Sequence, residues 1–242
     1  MTATKSAVVT GANKGIGREV ARRLAADGFK VWLGARNGER GTKAATELRA
    51  EGLDVQWLEI DVTKEETVAK AASTIGSVSS HLDVLVNNAG VAINYDRPPS
   101  EQAMADIKAT YEVNVFGPIR VTQAFLPLLL AAPAARVVMV SSYGGSIGRA
   151  LDRASPSYSL NMLGYGSSKA ALNAIMVCFA KELAPRRILV NAAAPGYTAT
   201  DLNQHKGHRT VQQAAEIVVR LATLGADGPT GGYFDEKGPV PW

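Results

Sequence analysis

The chain of 242 residues is 46% apolar and 20% charged, carries a net charge of +4 and has a single cysteine. That length suits one large α/β domain with a developed core rather than two, and one cysteine excludes an internal disulfide. No run approaches the roughly 18 apolar residues of a membrane-spanning helix. The basic residues fall in ones and twos, as at Arg22-Arg23 and Arg186-Arg187, without the patterning of a nucleic-acid-binding module. Neither a membrane nor nucleic acid is therefore expected as a partner. Cys178 lies among apolar residues and reads as a buried structural thiol. The N-terminus runs into a strand without a signal peptide, and the cysteine usage fits a reducing cytoplasm, so a cytoplasmic location is expected.

The first strand, over residues 7–10, ends in Thr10-Gly11-Ala12-Asn13-Lys14-Gly15-Ile16-Gly17-Arg18, and a helix follows. Glycines at a strand-to-helix junction let the backbone turn tightly and approach a pyrophosphate at the helix N-terminus. Gly11, Asn13, Lys14, Gly15, Ile16 and Gly17 are thus candidate cofactor contacts, although three glycines could also simply close the turn. The second strand, 31–34, leads into Ala35-Arg36-Asn37, with no acid before Glu39. An NAD site would place an acid there for the ribose hydroxyls. Arg36 can grip a 2′-phosphate through its planar fork, and Lys14 supplies a second cation, which favours NADP.

Strand 55–60 is followed by Asp61-Val62, and strand 84–86 by Asn87-Asn88-Ala89-Gly90. Asp61 could cap the next helix, and the asparagines could tie down neighbouring backbone. A fifth strand, 137–141, leads to Ser142; residues 149–163, rich in Ser, Pro and Asn, read as a lid or pocket wall. Tyr165 and Lys169 follow, four positions apart. On a helix that spacing stacks phenol and ammonium on one face, and a nearby cation favours the phenolate. The sixth strand, 189–193, leads to Pro195-Gly196, and a short run near Tyr233-Phe234 could add an edge strand. Continuously apolar strands alternating with helices imply a parallel sheet covered on both faces.

Taken together these motifs resemble the short-chain dehydrogenase/reductase family across nearly the whole chain. The matching residues are the TGxxxGxG turn, Asp61-Val62, Asn87-Asn88-Ala89-Gly90, Asn114 in Val113-Asn114-Val115, Ser142, Tyr165, Lys169 and Pro195-Gly196. The resemblance implies a single-domain, Rossmann-type doubly wound parallel sheet of about seven strands flanked by helices. It also implies a catalytic group. Tyr165 would exchange the proton with the substrate oxygen, and Ser142 (or its neighbour Ser141) would hydrogen-bond that oxygen. Lys169 would depress the tyrosine pKa and bind the nicotinamide ribose, and Asn114 would hold a proton-relaying water. Asp61 and Val62 would edge the adenine, Asn88 and Gly90 would approach its ribose, and the backbone of Pro195, Gly196 and Thr198 would meet the carboxamide.

The Gly-Ala-Asn-Lys-Gly-Ile-Gly opening and the ending Gly-Gly-Tyr-Phe…Pro-Val-Pro-Trp242 resemble carbonyl-reductase-like members. These imply NADP(H), a small hydrophobic ketone, aldehyde or quinone as substrate, and a monomer or homodimer. Oxidative alcohol dehydrogenation and a non-catalytic NADP(H) sensor are the alternatives. Candidate pocket walls are Ile93, Tyr95, Tyr143, Leu160, Met162, Tyr197, Leu202 and Trp242. His205 and His208 lie in a polar stretch without a third ligand nearby, so no metal is expected.

Overall fold

The computed structural model describes residues 4–155, 158 and 161–242. Its centre is a sheet of eight strands: β1 (Ser6–Val9), β2 (Lys30–Ala35), β3 (Val55–Glu59), β4 (Val84–Asn87), β5 (Arg136–Val140), β6 (Leu189–Ala193), β7 (Tyr233–Asp235) and β8 (Gly238–Pro239), in the spatial order 3-2-1-4-5-6-7-8. Seven run parallel; β8 is the addition to the expected set and pairs antiparallel with β7, Phe234 opposite Pro239. The helices are α1 (Gly15–Ala26), α2 (Gly38–Ala50), α3 (Glu65–Gly76), α4 (Met104–Tyr111), α5 (Gly117–Ala131), α6 (Ile147–Leu151), α7 (Leu163–Leu183) and α8 (Val211–Ala222).

Alternation along the strands divides the core into two. Val8, Leu85, Val137 and Met139 meet Ile75 of α3, Phe125 and Leu129 of α5, and Leu172 and Met176 of α7. Val9, Val86 and Val138 point the other way, onto Val20 and Leu24 of α1, Leu48 of α2, and Val218 and Leu221 of α8. Both faces are covered, which is why β1, β4, β5 and β6 are buried at every position. Arg136 opens β5 one residue before the apolar run. It is tolerated there because its Nε donates to Leu224 O (2.8 Å) and its Nη1 to Ala135 O (2.9 Å).

Two expectations need correction. Cys178 is exposed: the inward stripe of α7 is Leu172, Met176, Phe179 and Leu183, and the helical repeat turns position 178 outward whatever its neighbours' polarity. The helical passage Met104–Ala131, 28 residues long, is also long and apolar enough by length and composition to cross a bilayer. The sequence reading missed this because charged residues such as Lys108, Glu112 and Arg120 interrupt the run. In the fold Val121, Phe125 and Leu129 of that passage are fully buried against the sheet.

The chain reverses direction across the sheet between β1 and β4, which opens a crevice at their carboxyl ends. There Thr10 Oγ1 accepts from the N–H groups of Asn88 and Ala89, both at 3.0 Å, joining the loops after β1 and β4.

Candidate functional site

The loop after β1 is a cradle of backbone. Gly11 has φ +62°, and a Cβ there would stand 2.9 Å from Ala89 Cα; one on Gly17 would stand 2.8 Å from Gly11 O. Glycine is the residue that permits both the left-handed turn and the close approach. Lys14, at the start of α1, makes no capping bond through its side chain, and first-turn N–H groups of a helix are suited to hold an anion in the cradle. Asn13 and Ile16 are partly buried alongside. Asn88 does the structural job that its alternative reading allowed: its Nδ2 donates to Thr10 O (2.8 Å) and Gly11 O (3.2 Å).

At the end of β2, Arg36 is exposed and no acid pairs with it among the described residues. Asn37 caps α2, its Oδ1 accepting from Arg40 N at 2.9 Å. After β3, Asp61 Oδ1 accepts from Thr63 N (3.1 Å) and Thr63 Oγ1 (2.8 Å). This is a turn of its own, since the residue at the start of α3 is Lys64. Val62 is buried, and its carbonyl accepts from the Arg120 guanidinium. Lys14 has a partner of its own: its ammonium is 2.5 Å from Asp201 Oδ2, and Asp201 Oδ1 meets His205 Nε2 at 2.8 Å. Asp201 was not singled out in the sequence; it lies 187 positions from Lys14.

Ser142, Tyr165, Lys169 and Asn114 converge at the carboxyl end of β5. Lys169 is 4% exposed and sits one turn after Tyr165 on α7. Its Nζ lies 5.9 Å from the Tyr165 ring centre and donates to Val140 O at 2.8 Å. Burial lowers its pKa to about 8. The partly exposed Tyr165 is pushed above its ordinary value, chiefly by desolvation. The neighbouring Ser142 hydroxyl pulls the other way, and Tyr95 adds a smaller upward push. Of the two serines, Ser142 faces Tyr165, while the Ser141 side chain lies beside Tyr233.

Asn114 sits in a π-helical turn, Glu112–Phe116, a distortion that often marks functional sites. It is fully buried. Its Oδ1 accepts from Val91 N (2.9 Å), and its Nδ2 donates to Val91 O (2.9 Å) and Ser168 Oγ (3.0 Å). Gly90 faces the same notch: a Cβ there would lie 3.4 Å from Asn114 Oδ1 and 3.5 Å from Lys169 Nζ.

Beyond β6, Pro195 is buried and Gly196 takes φ +81°. Thr198 Oγ1 donates to Gly196 O at 3.1 Å. Arg209, also unforeseen, packs over Gly196 and reaches Glu236 Oε1 at 2.8 Å.

Of the pocket candidates, Tyr95 meets Tyr165 with ring centres 6.3 Å apart, and Tyr197 meets His208 at 6.0 Å. Ile93 and Met162 are partly buried, and Leu202 is exposed. Tyr143 instead turns its phenol onto Asp235 Oδ2 (2.7 Å), and Trp242 stacks on Tyr233. Leu160 and part of the 149–163 segment lie outside the described residues.

Residues 5–210 match the family described as short chain dehydrogenase. The chain is 32% identical to carbonyl reductase (NADPH) 1 of Sus scrofa, covering 99% of this chain and 94% of that protein. It is 31% identical to salutaridine reductase of Papaver bracteatum, covering 97% and 95%. The solved structure of an NADPH-bound carbonyl reductase from chicken fatty liver superposes with a TM-score of 0.87 at 26% identity, over 99% of both chains.

Proposed function

The chain belongs to the short chain dehydrogenase family, and on that premise we propose that it transfers hydride from NADPH to the carbonyl of a small hydrophobic ketone, aldehyde or quinone. The observation that carries this reading is the convergence at the end of β5 of Ser142, whose hydroxyl acts on the Tyr165 phenol, with Lys169 buried one turn after that tyrosine, its Nζ 5.9 Å from the phenol ring centre. The NADPH-dependent relatives support the cofactor, as do the cradle and the acid-free end of β2.

The first-turn amides of α1, with Gly11, Gly15 and Gly17, would hold the pyrophosphate, and Arg36 with Lys14 the 2′-phosphate. Asp61, Val62, Asn88 and Gly90 would border the adenosine, and Pro195, Gly196 and Thr198 the nicotinamide amide. Bound NADPH supplies the hydride. Ser142 Oγ–H would donate to the carbonyl oxygen, drawing electrons from the carbon that accepts hydride. Tyr165 would deliver the proton to that oxygen. A phenol held above its usual range stays protonated at neutral pH, the form that a proton donor requires. Lys169, poised near pH 8 by burial, would bind the ribose and share protons with Tyr165. Asn114 has both amide hydrogens engaged and one Oδ1 lone pair left to hold the relay water. Tyr95, Tyr197 and Met162 would wall the substrate.

A panel of hydrophobic ketones, aldehydes and quinones, followed by the loss of NADPH absorbance, tests the reading. Tyr165→Phe should lower turnover by about a hundredfold or more, the order supplied by a positioned acid, with NADPH affinity nearly unchanged. A variant retaining most of the activity would remove Tyr165 from the acid role. Tight NADPH binding with no turnover across the panel would favour the sensor.

A further inference from the structure

The C-terminal motif Gly-Gly-Tyr-Phe has no part in the chemistry above, yet its hairpin closes on the residue at the centre of it. The Tyr233 ring is 2% exposed, and its O–H donates to the backbone carbonyl of Ser142 at 2.5 Å. Gly145 N–H donates to the same carbonyl at 2.8 Å, so both of its lone pairs are used. Ser142 itself is extended, with φ −163° and ψ 153°, and its Oγ accepts from Gly144 N at 3.2 Å. Two donors on one carbonyl fix the orientation of that peptide unit and therefore the direction of the Cα–Cβ bond that carries the hydroxyl.

The next residue is held by the same hairpin. The Tyr143 phenol donates to Asp235 Oδ2 at 2.7 Å, while Asp235 Oδ1 accepts from Lys237 N (2.7 Å) and Gly238 N (3.0 Å). The carboxylate is thereby locked into the β7–β8 turn. β7 is itself anchored in the sheet by pairing with β6 and by the bond from Ala194 N to Phe234 O at 2.7 Å. Burial drives the Tyr233 pKa upward, so it remains a neutral donor over the working range.

Resting on the function proposed above, we infer that the β7–β8 hairpin holds the catalytic serine in place. Tyr233, through the Ser142 carbonyl, and Asp235, through Tyr143, are positioning residues that aim the Ser142 hydroxyl at Tyr165. Misplacing an oriented group by about 1 Å is enough to cost on the order of a hundredfold in rate. The titratable groups facing Tyr165 from the elements around it are Tyr95 from the loop after β4, Lys169 from α7 and Tyr233 from β7.

The test reads the Ser142–Tyr165 bond directly, in protein labelled at the tyrosine ring Cζ carbon. The Tyr165 resonance is assigned by its loss in Tyr165→Phe, and Ser142→Ala sets the full displacement caused by losing the bond. Tyr233→Phe should move the resonance by a substantial share of that displacement, and Tyr143→Phe by a smaller share in the same sense. Tyr143→Phe also carries the test should Tyr233→Phe fold poorly in thermal unfolding. With acetophenone and NADPH, Tyr233→Phe should lower kcat by about tenfold or more while leaving the NADPH KM within twofold. An unmoved Tyr165 resonance in both variants overturns the inference. Because the resonance needs no turnover, wild-type protein inactive on carbonyls would defeat the functional reading while the hairpin is still judged on its own.

Discussion

Arg36 is the residue on which nucleotide choice turns. It is exposed at the end of β2, and the only acid nearby in sequence is Glu39, inside α2. A guanidinium-to-phosphate bond contributes about 1.5–3 kcal/mol. Arg36→Asp should therefore weaken NADPH binding by about ten- to hundredfold and shift preference toward NADH, as measured by cofactor fluorescence titration. Equal NADPH affinity in the variant would remove Arg36 from the site. This position was legible because it depends only on its place after a strand. Lys14 was legible as a cation in a turn, but its partner was not: Asp201 is 187 residues away, and nothing local announces the pairing. Cys178 shows the converse error, where apolar neighbours suggested burial and helical phase decided otherwise.

Among the elements, the turn joining β1 to α1 tolerates least. A methyl group on Gly17 would sit 2.8 Å from Gly11 O and press on the Asn88 side chain that ties the two loops. Backbone oxygen cannot swing aside as a flexible side chain can. Gly17→Ala should thus cost about 1–3 kcal/mol of stability and weaken NADPH at least tenfold. Urea unfolding beside a binding titration would check both, and unaltered values would mean the cradle relaxes freely. The parallel strands and the helix carrying Tyr165 were readable from apolar runs and four-residue spacing. The π-helical turn around Asn114 was not, because an added residue in a helical turn leaves no periodic mark. Nor was the hairpin's hold on Ser142, made across 91 positions.

At the scale of the whole molecule, the buried ionisable groups give stability a pH signature. Lys169 titrates near 8 in the folded protein and about 10.4 when unfolded. Between those values the unfolded chain binds the extra proton, so stability rises with pH through that window, by about 3 kcal/mol at most. The tyrosines act in the opposite sense. Tyr143, Tyr165 and Tyr233 are all raised, first by desolvation. They keep their protons longer when folded, so their contribution is present below about pH 10, the unfolded value, and is lost above it. Denaturant unfolding should show stability climbing from about pH 8 toward pH 10 and then declining. Lys169→Met should flatten the climb, and a climb that persists would mean the buried ammonium is not its source.

One consequence of the Lys14–Asp201 contact concerns how the mouth of the crevice is entered. Lys14 brings a single positive charge, and Asp201 already occupies it from the opposite bank, with His205 on its second oxygen. Burial of Asp201 is slight, and Lys14 holds its carboxyl below the usual range. The carboxylate therefore stays charged at neutral pH, and the clasp forms and opens readily until an incoming anion takes the lysine. Such an exposed pair is worth no more than about 1 kcal/mol, and salt weakens it further. Asp201→Asn should leave the gate unlatched, quickening NADPH entry a few-fold in stopped-flow at low ionic strength. That advantage should shrink as salt is added, because a toll collected in charge is one that counterions can waive.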